Sequence, residues 1–319
     1  MAGGTVVLGV DTGGTGTKGA VVARDGTVRD RAERPTDPTA GTKGIIGVVE
    51  ELLERAARSG SKVAAVGVGA AGFVDFASGS VTFSPNLVYD DPQIGAALRA
   101  RSGLPVFVDN DANAAVWGER AYGSCRGEDD VVLLTLGTGI GSGIVAGGRL
   151  VRGSTGAGAE LGHLVVDPDG PECGCGLRGC LEQLASGSAI ERLAARAVAD
   201  EPSSAILAFA PGGHITGEAV SRAAREYDPT AREVLRKAGV ALGIGLSNVV
   251  NIFDPAVIVL GGSVVGAGEP YLGPARDQLA RMMQAQRRRP MRLDVTSLGG
   301  DAGIVGAAAL AWSEAGEAA

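Results

Sequence analysis

One histidine and three cysteines lie close together near the middle of the sequence. His163 is followed by Cys173, Cys175 and Cys180, and the whole chain contains only two histidines and four cysteines. Three thiolates and one imidazole form a ligand set that suits tetrahedral Zn²⁺. Because the protein fills all four positions, we predict a structural zinc that stabilises a glycine-rich loop and does not activate water.

Two glutamates bracket these ligands, Glu160 before them and Glu182 after them. A bound sugar needs several rigid acceptors for its hydroxyl groups, and carboxylates beside a zinc-stabilised loop can supply them. His163 can bind zinc through one ring nitrogen and donate a hydrogen bond to a sugar hydroxyl from the other. The segment therefore predicts a sugar site next to a structural metal.

Two turns rich in glycine and threonine follow apolar segments and suit a chain of phosphates. The first runs from Asp11 to Lys18, and the second runs from Leu136 to Gly143. Small residues let backbone N–H groups approach a polyanion, and hydroxyls and Lys18 add donors. Asp11 can lie near a hydrated Mg²⁺. The first turn is not a Walker A sequence, and each turn taken alone is also compatible with an ordinary tight hairpin.

Two further glycine-rich segments follow predicted strands. Gly261, Gly262 and Ser263 can form the floor for a nucleotide base, because ligands bind beyond the carboxyl ends of strands in open α/β sheets; a plain strand-to-helix loop is the alternative. Gly67–Gly72 matches the dinucleotide pattern GxGxxG, but a strand and a turn, and not the required helix, are predicted after it. We therefore predict no nicotinamide site.

A cluster of polar residues, Asp109–Asn113, lies where an apolar strand meets a predicted helix. Asp and Asn favour helix N-caps, which explains one such residue but does not require four in five positions. A carboxylate at the mouth of a cleft can act as a general base towards a hydroxyl group. Asp111 is our candidate for this base.

The elements that position these residues alternate between strands and helices. Apolar runs predict buried strands at Thr5–Val10 and Val131–Leu136, and each is followed by a glycine-rich hairpin and a second strand. The two segments repeat one pattern about 125 residues apart. We therefore predict the α/β class with mixed sheets, built from two copies of one unit.

Composition excludes several classes of function. The chain has 319 residues with 45% hydrophobic, enough for about two domains, and a net charge of −7. This charge disfavours nucleic acid and anionic membranes as partners. The basic run Arg287–Arg289 is interpreted as a solvated loop, and Cys125 as a small buried residue. No membrane span or signal segment is predicted, so we expect a cytoplasmic protein.

Taken together, these segments resemble the ROK family of bacterial sugar kinases and sugar-responsive repressors. The resemblance runs from about Leu8 to about Gly306 and depends most on the cysteine segment, which is the most specific motif. The other matching motifs are the two turns, Asn110–Asn113 and Glu160–His163. The chain is most similar to the zinc-containing glucokinases of that family. The implied fold is the actin-like, hexokinase-type (ribonuclease H-like) fold, duplicated, with two domains and an interdomain cleft.

The resemblance also implies a role for each matching residue. Asp111 is expected to be the general base on the 6-hydroxyl group of glucose. The expected sugar ligands are Gly72, Asn110, Asp111, Glu160, His163 and Glu182. The expected zinc ligands are His163, Cys173, Cys175 and Cys180. The expected contacts of MgATP are Asp11, Gly13, Gly14, Thr15, Thr17, Lys18, Gly137, Thr138, Gly139, Gly261, Gly262 and Ser263.

Domain boundaries and partners follow from the same resemblance. A small N-terminal domain is expected at 1–112 with 303–319, and a larger domain with the zinc loop at 113–302. The expected partners are glucose and ATP, with no nucleic acid and no membrane, in a homodimer or homotetramer.

Alternatives stay open at this point. They are a kinase for another hexose or an N-acetylated amino sugar, polyphosphate as the donor, and a sugar-binding regulator without catalysis. A DNA-binding repressor is disfavoured, because only ten residues precede Asp11 and family repressors carry a helix-turn-helix domain there. Selectivity among sugars is expected to depend on the geometry around Gly72, Asn86, Glu160 and Glu182.

Overall fold

The computed structural model describes residues 4–14, 16–85, 87–283 and 290–316. Thr15, Asn86 and the run Arg287–Arg289, to which the sequence assigned roles, lie outside the described residues. The chain divides into two compact units. The first contains the residues up to Leu133, Gly143–Ala159 and those from Thr296 onward, and the second contains Leu134–Ser142 and Glu160–Val295. In this division, as in the predicted one, the two ends of the chain belong to the same unit. The predicted domain boundaries, 1–112 with 303–319 and 113–302, stay a prediction.

The first part of the chain forms a five-stranded sheet with the order β3-β2-β1-β4-β7. Strand β1 pairs antiparallel with β2 and parallel with β4, which in turn pairs parallel with β7. Strands β5 and β6 form a separate two-stranded ribbon. The elements are β1 (Thr5–Thr12), β2 (Gly16–Ala23), β3 (Val28–Pro35), α1 (Gly41–Arg58), β4 (Lys62–Ala70), β5 (Phe73–Asp75), β6 (Ser80–Phe83), α2 (Ile94–Ser102), β7 (Val106–Asn110) and α3 (Asp111–Tyr122).

The later part of the chain forms a second five-stranded sheet with the order β10-β9-β8-β11-β12 and a group of helices. Its elements are β8 (Val131–Leu136), β9 (Ile140–Ala146), β10 (Arg149–Leu150), α4 (Leu181–Ala185), α5 (Gly187–Asp200), α6 (Gly217–Arg225), α7 (Pro229–Phe253), β11 (Val257–Gly261), α8 (Glu269–Met282) and β12 (Arg292–Val295). The last helix, α9 (Ala302–Glu314), belongs to the first unit.

The two sheets have the same order of strands. The central strand is β1 in the first sheet and β8 in the second. In each sheet, the next two strands of the chain lie on one side of the central strand, and two later strands lie on its other side. This equivalence confirms the internal repeat and the α/β class predicted from the sequence. The helix α7 also confirms its prediction, because its end at Phe253 precedes the Asp254-Pro255 pair, where a helix is expected to stop.

Glycines allow α9 to pack directly on the backbone of its neighbours in the first unit. A Cβ atom at Gly67 of β4 would lie 1.8 Å from the carbonyl oxygen of Ala307, and one at Gly9 of β1 would lie 2.1 Å from that of Ile304. The side chains of Ile304, Ala308 and Trp312 are buried in the same cluster as Val7 of β1. The close approach of helix and sheet therefore depends on small residues.

Two sequence interpretations are settled by this architecture. Strand β5 follows Gly72 directly, so no helix begins at the Gly67–Gly72 turn, as predicted. Within the part of the chain that the structure describes, no helix is long and apolar enough to cross a membrane.

Candidate functional site

The polar cluster at Asp109–Asn113 forms the junction between β7 and α3. Asn110 is the N-cap of α3, and its side-chain oxygen accepts hydrogen bonds from the N–H groups of Ala112 (2.9 Å) and Asn113 (3.2 Å). Its side-chain nitrogen donates to the carbonyl of Gly72 at 3.1 Å. The structure therefore brings Asn110 and Gly72 together, and the capping interpretation is correct for Asn110.

Asp111 follows the cap as the first residue of α3 and keeps part of its surface accessible. Burial of the carboxylate raises the pKa of Asp111 to about 6, although a hydrogen bond from the backbone N–H of Ala112 opposes this shift. At neutral pH the group is ionised and remains basic enough to accept a proton from a bound hydroxyl.

Asp11 lies close to Asp111, at the carboxyl end of β1. Burial first, and the negative charge of Asp111 second, raise the pKa of Asp11 to about 7, whereas Lys18 lowers it. Gly69 of β4 separates the two carboxylates, and a Cβ atom there would lie 3.5 Å from Oδ1 of Asp11 and 3.4 Å from Cα of Asp111. The order β1-β4-β7 thus delivers two carboxylates to one edge of the sheet.

Asp109 is buried and forms an ion pair that sequence reasoning missed. Its Oδ2 accepts a hydrogen bond from Nε of Arg152 at 2.7 Å, and its Oδ1 accepts from Nδ2 of Asn113 at 2.9 Å. The guanidinium group of Arg152 also lies over the ring of Phe76, 3.7 Å from its centroid. These contacts fix the backbone immediately before Asn110 and Asp111.

The first glycine-rich turn, between β1 and β2, is held by a chain of hydroxyl groups. Thr12 and Thr17 are buried and their Oγ1 atoms lie 2.8 Å apart, while Thr36 donates from Oγ1 to the carbonyl of Gly13 at 2.8 Å. Lys18 lies 3.8 Å from Glu33. A Cβ atom at Gly13 or Gly14 would meet nothing within 4 Å, so space remains beside the turn.

The second turn, Gly137–Gly139 between β8 and β9, is held by backbone groups at the start of α5. Gly187 donates to the carbonyl of Gly137 at 2.8 Å, and Ser188 donates to that of Thr138 at 3.3 Å. The third segment approaches the end of β8, because a Cβ atom at Gly262 would lie 2.3 Å from the carbonyl oxygen of Leu136. The structure therefore brings two of the three predicted nucleotide segments together within the second unit.

A cavity of about 390 Å³ adjoins these two segments. Its walls come from the second turn, from the segment after β11, and from α5 and α6, which sequence reasoning did not assign to the site. The lining includes Gly137, Thr138, Glu191, Thr216, Arg225 and Ser263. Hydroxyl, carboxylate and guanidinium groups alternate with small residues, so the cavity can take a flat polar molecule.

The predicted zinc ligands converge in the second unit. The ligand atoms of His163, Cys173, Cys175 and Cys180 all lie within 4.8 Å of one another. Nδ1 of His163 lies 3.5 Å from Sγ of Cys173, and the Sγ atoms of Cys175 and Cys180 lie 3.6 Å apart. A tetrahedral zinc with bonds of about 2.3 Å to sulfur requires separations of about 3.8 Å. The four residues therefore fit a structural Zn²⁺.

The thiols of this cluster differ in their surroundings. Burial first, and the neighbouring thiols of Cys175 and Cys173 second, raise the pKa of Cys180 to about 12. A hydrogen bond from the backbone N–H of Leu177 lowers the pKa of Cys175. Metal binding must remove the thiol protons, so affinity for zinc falls in acid.

Of the three predicted sugar ligands of the second unit, His163 belongs to the metal cluster, Glu160 lies beside His163, and Glu182 follows Cys180 closely in the chain. Glu160 precedes a 3-10 helix, Leu161–His163, and its Oε2 lies 4.0 Å from Nε2 of His163. Because Nδ1 of His163 faces Cys173, Nε2 is the nitrogen that remains for a ligand. Glu182 lies in the first turn of α4 and accepts a hydrogen bond through Oε2 from the N–H of Ile140 at 2.9 Å.

Comparison with known proteins places this geometry in a family. The sequence profile of the ROK family matches residues 7–314. The chain belongs to the ROK family. Its resemblance to that family and its actin-like, hexokinase-type fold, both predicted from the motifs, are thereby confirmed.

Three ROK relatives are similar over nearly the whole chain. The glucokinase of Streptomyces coelicolor is 39% identical over 311 residues, which cover 96% of this chain and 97% of that protein. A ROK family glucokinase from Streptomyces griseus, solved with glucose and AMPPNP, has a TM-score of 0.84 and 40% identity, covering 97% of this chain and 99% of that one. The ROK hexokinase from Thermus thermophilus has a TM-score of 0.82 and 35% identity, covering 98% and 100%.

Proposed function

We propose that this protein is an ATP-dependent glucokinase that transfers the γ-phosphoryl group of ATP to the 6-hydroxyl group of glucose. The observation that carries this proposal is Asp111, a partly exposed residue at the junction of β7 and α3 whose carboxylate has its pKa raised by burial to about 6. Such a group orients a hydroxyl and accepts its proton as the phosphoryl group is transferred. The similarity to glucokinases from two Streptomyces species supports glucose as the acceptor and ATP as the donor.

The other sugar hydroxyls are held by Gly72, Asn110, Glu160, His163 and Glu182. Asn110 supports this role because its Nδ2 donates to Gly72 and carries a second hydrogen for a ligand. The nearness of Nε2 of His163 to Glu160 supports a donor and an acceptor on adjacent hydroxyls of one sugar. Rigid, oppositely polarised partners of this kind fix a hydroxyl-rich substrate in one orientation.

The phosphates of ATP are held by the two glycine-rich turns. The residues proposed for this role are Asp11, Gly13, Gly14, Thr15, Thr17, Lys18, Gly137, Thr138 and Gly139. Gly261, Gly262 and Ser263 are proposed to form the floor for the nucleotide base. The cavity of about 390 Å³ beside the second turn accommodates the nucleoside. Asp11 holds the water shell of Mg²⁺, which when bound offsets charge on the phosphates.

The cluster of His163, Cys173, Cys175 and Cys180 holds a structural zinc in this proposal. The metal supplies stability to a loop that has little apolar core, and all four ligand positions belong to the protein. His163 thereby keeps one ring orientation, with Nε2 directed away from the metal.

A coupled assay of ADP release tests the function. The zinc-loaded protein is given MgATP with glucose, mannose, fructose, N-acetylglucosamine, N-acetylmannosamine or no sugar. We expect turnover that depends on glucose, with little hydrolysis of ATP in its absence. Turnover with none of these sugars, from either ATP or polyphosphate, would contradict a kinase and support a sugar-binding regulator.

A broader hexose kinase is the second candidate. The Thermus thermophilus relative named a hexokinase supports it. Equal turnover of glucose and mannose would favour this candidate, and preference for an N-acetylated sugar would reassign the substrate while retaining the roles of Asp111 and the turns.

Assembly and location complete the proposal. By resemblance to the family, we propose a homodimer or homotetramer in the cytoplasm, with domains at 1–112 plus 303–319 and at 113–302. Light scattering on the purified protein distinguishes the assemblies, because the chain has a mass of 31.9 kDa.

A further inference from the structure

The carboxylate of Glu182 contacts the second glycine-rich turn directly. Its Oε2 accepts a hydrogen bond from the N–H of Ile140, the residue that follows the turn, at 2.9 Å. A Cβ atom at Gly139 would lie 2.3 Å from the same oxygen. Glycine at position 139 leaves room for the carboxylate in this position, and a larger residue would displace it.

Glu182 is itself held firmly from two sides. It is the second residue of α4, and Cys180, a member of the metal cluster, is the N-cap of that helix. Leu181, between them, donates its N–H to the carbonyl of Leu164 at 2.8 Å. The side chain of Leu181 packs on α7, where a Cβ atom at Gly245 would lie 2.5 Å from its Cδ2. Only Leu181 separates Glu182 from Cys180 along the backbone. A shift in the position of Cys180 is therefore expected to move Glu182.

The remaining carboxylate oxygen leaves the proposed sugar contact intact. Oε1 of Glu182 makes no hydrogen bond within the described residues, whereas Oε2 accepts a hydrogen bond from the N–H of Ile140. A contact to sugar and a contact to the turn can therefore coexist on one side chain, because they use different oxygens.

We infer that Glu182 is a positioning residue for the turn Gly137–Gly139, and that it connects the His163 and cysteine cluster to the binding of ATP phosphates. This inference rests on the proposed function and deepens it. A turn whose backbone is held before the nucleotide arrives loses less conformational entropy on binding than a turn that must be ordered. Removing the acceptor for the Ile140 N–H releases the turn at one end, while α5 still holds the other end.

The test measures nucleotide binding without sugar, so the sugar role of Glu182 does not enter. The probe is AMPPNP with Mg²⁺, titrated calorimetrically into the full-length, zinc-loaded protein. We expect Glu182→Ala to raise the Kd about tenfold, or about 1.4 kcal/mol, because the released turn must then be ordered when the nucleotide binds. Glu182→Gln keeps an acceptor at the same place and is expected to stay within about threefold of the wild type.

Glu172→Ala is the matched control. Glu172 is an exposed carboxylate of the same loop that pairs with Arg178 at 2.7 Å, so its removal should leave the Kd unchanged. An unchanged Kd in Glu182→Ala would overturn the inference, and so would an equal loss in Glu182→Gln, which would mean that charge and not the hydrogen bond matters.

Gly139→Ala tests the same contact when Glu182→Ala folds poorly, and it completes a double-mutant cycle when Glu182→Ala folds. Gly139→Ala retains Glu182 but displaces its carboxylate by steric conflict, so it should also weaken AMPPNP binding. If both changes act through one contact, the double variant should have a Kd for AMPPNP no higher than that of the single variant with the higher Kd. If the losses of binding free energy add up instead, the coupling is refuted.

Removal of zinc by a chelator is the last arm, and it should raise the Kd for AMPPNP by at least as much as Glu182→Ala. An unchanged Kd in the chelated protein would show that the metal cluster does not influence the turn. The proposed function fails separately: it fails if the wild type neither binds AMPPNP nor phosphorylates any sugar, whatever the variants do.

Discussion

The two glycine-rich turns occupy equivalent places in two sheets of identical strand order, yet different chemistry holds them. The turn after β1 is supported by buried hydroxyls, with Thr12 and Thr17 2.8 Å apart and Thr36 bonded to Gly13. The turn after β8 is supported by the carboxylate of Glu182 and by the first N–H groups of α5. Asp11 begins the first turn and Asp111 lies near it, but among the described residues neither carboxylate accepts a hydrogen bond from the backbone of the turn.

This difference indicates how a repeated unit acquires two tasks. The hairpin geometry repeats because strand order and glycine content repeat, whereas the anchors come from segments that do not repeat. In the first unit the carboxylates remain available for a substrate and a metal ion. In the second unit a carboxylate supports the turn, which suits a passive phosphate clamp. The predictions below separate these two tasks.

The largest effect is expected at the carboxylate of the first unit. Asp111→Ala should lower kcat by about 10²-fold or more, because it removes the proposed acceptor of the hydroxyl proton. Its Kd for AMPPNP should not increase, in contrast to Glu182→Ala. Steady-state kinetics and calorimetry on the same preparation check both statements, with a thermal melt to show that the variant is folded. If Asp111→Ala turned over like the wild type, the assignment of Asp111 as the general base would be wrong.

The pH dependence should run in opposite directions for activity and stability. Because the pKa of Asp111 is about 6, kcat/KM should fall about tenfold per pH unit below that value as the base takes up a proton. Burial raises the pKa values of Asp11 and Asp111 above the 3.8 of an unexceptional Asp. The folded state therefore binds more protons than the unfolded chain between about pH 4 and pH 7.

Stability contributed by these protonated groups is consequently lost as pH rises through that window. Thermal melts and initial rates across pH 4.5–8, without Mg²⁺ in the melts, measure the two trends. A melting temperature that falls less steeply with pH in Asp111→Ala than in the wild type would support the attribution, because only the contribution of Asp11 remains. Identical curves would remove it.

The smallest effect is expected at the hydroxyl anchor. Thr17→Val preserves shape but leaves the buried hydroxyl of Thr12 without its partner, which costs about 1–3 kcal/mol of unfolding free energy. Because the hydroxyl of Thr17 is buried against that of Thr12 and acts on the phosphates only by supporting the turn, and because Thr36 still holds Gly13, the Kd for AMPPNP should rise by no more than about threefold. Urea unfolding and calorimetry test this, with the exposed Thr39→Val as control. A tenfold loss of nucleotide affinity would show that the two turns depend on their anchors equally.

Sequence patterns predicted the local parts of this molecule and missed its long-range contacts. The hairpins, the helix after Asp111 and the metal cluster were predictable, because their residues are neighbours or carry a specific ligand spacing. The contacts of Thr36 with Gly13, Ile140 with Glu182 and Asp109 with Arg152 span 23, 42 and 43 residues. Periodicity and spacing contain no information about such pairs, which only the topology brings together. Asn110 illustrates the middle case, since its capping role was foreseeable and its bond to Gly72 was not.

The packing of α9 on β1 and β4 also bears on how the protein is made. Val7 and Ala65 leave the ribosome early, but Ile304 and Trp312, which bury them, are synthesised more than 230 residues after β4 ends. At about 5–20 residues per second, that face of the nascent sheet stays uncovered for roughly 10–50 s. During this time its apolar strands are exposed to other chains. The core of the first unit therefore cannot be completed before α9 is synthesised, and chaperone dependence should be concentrated on this face.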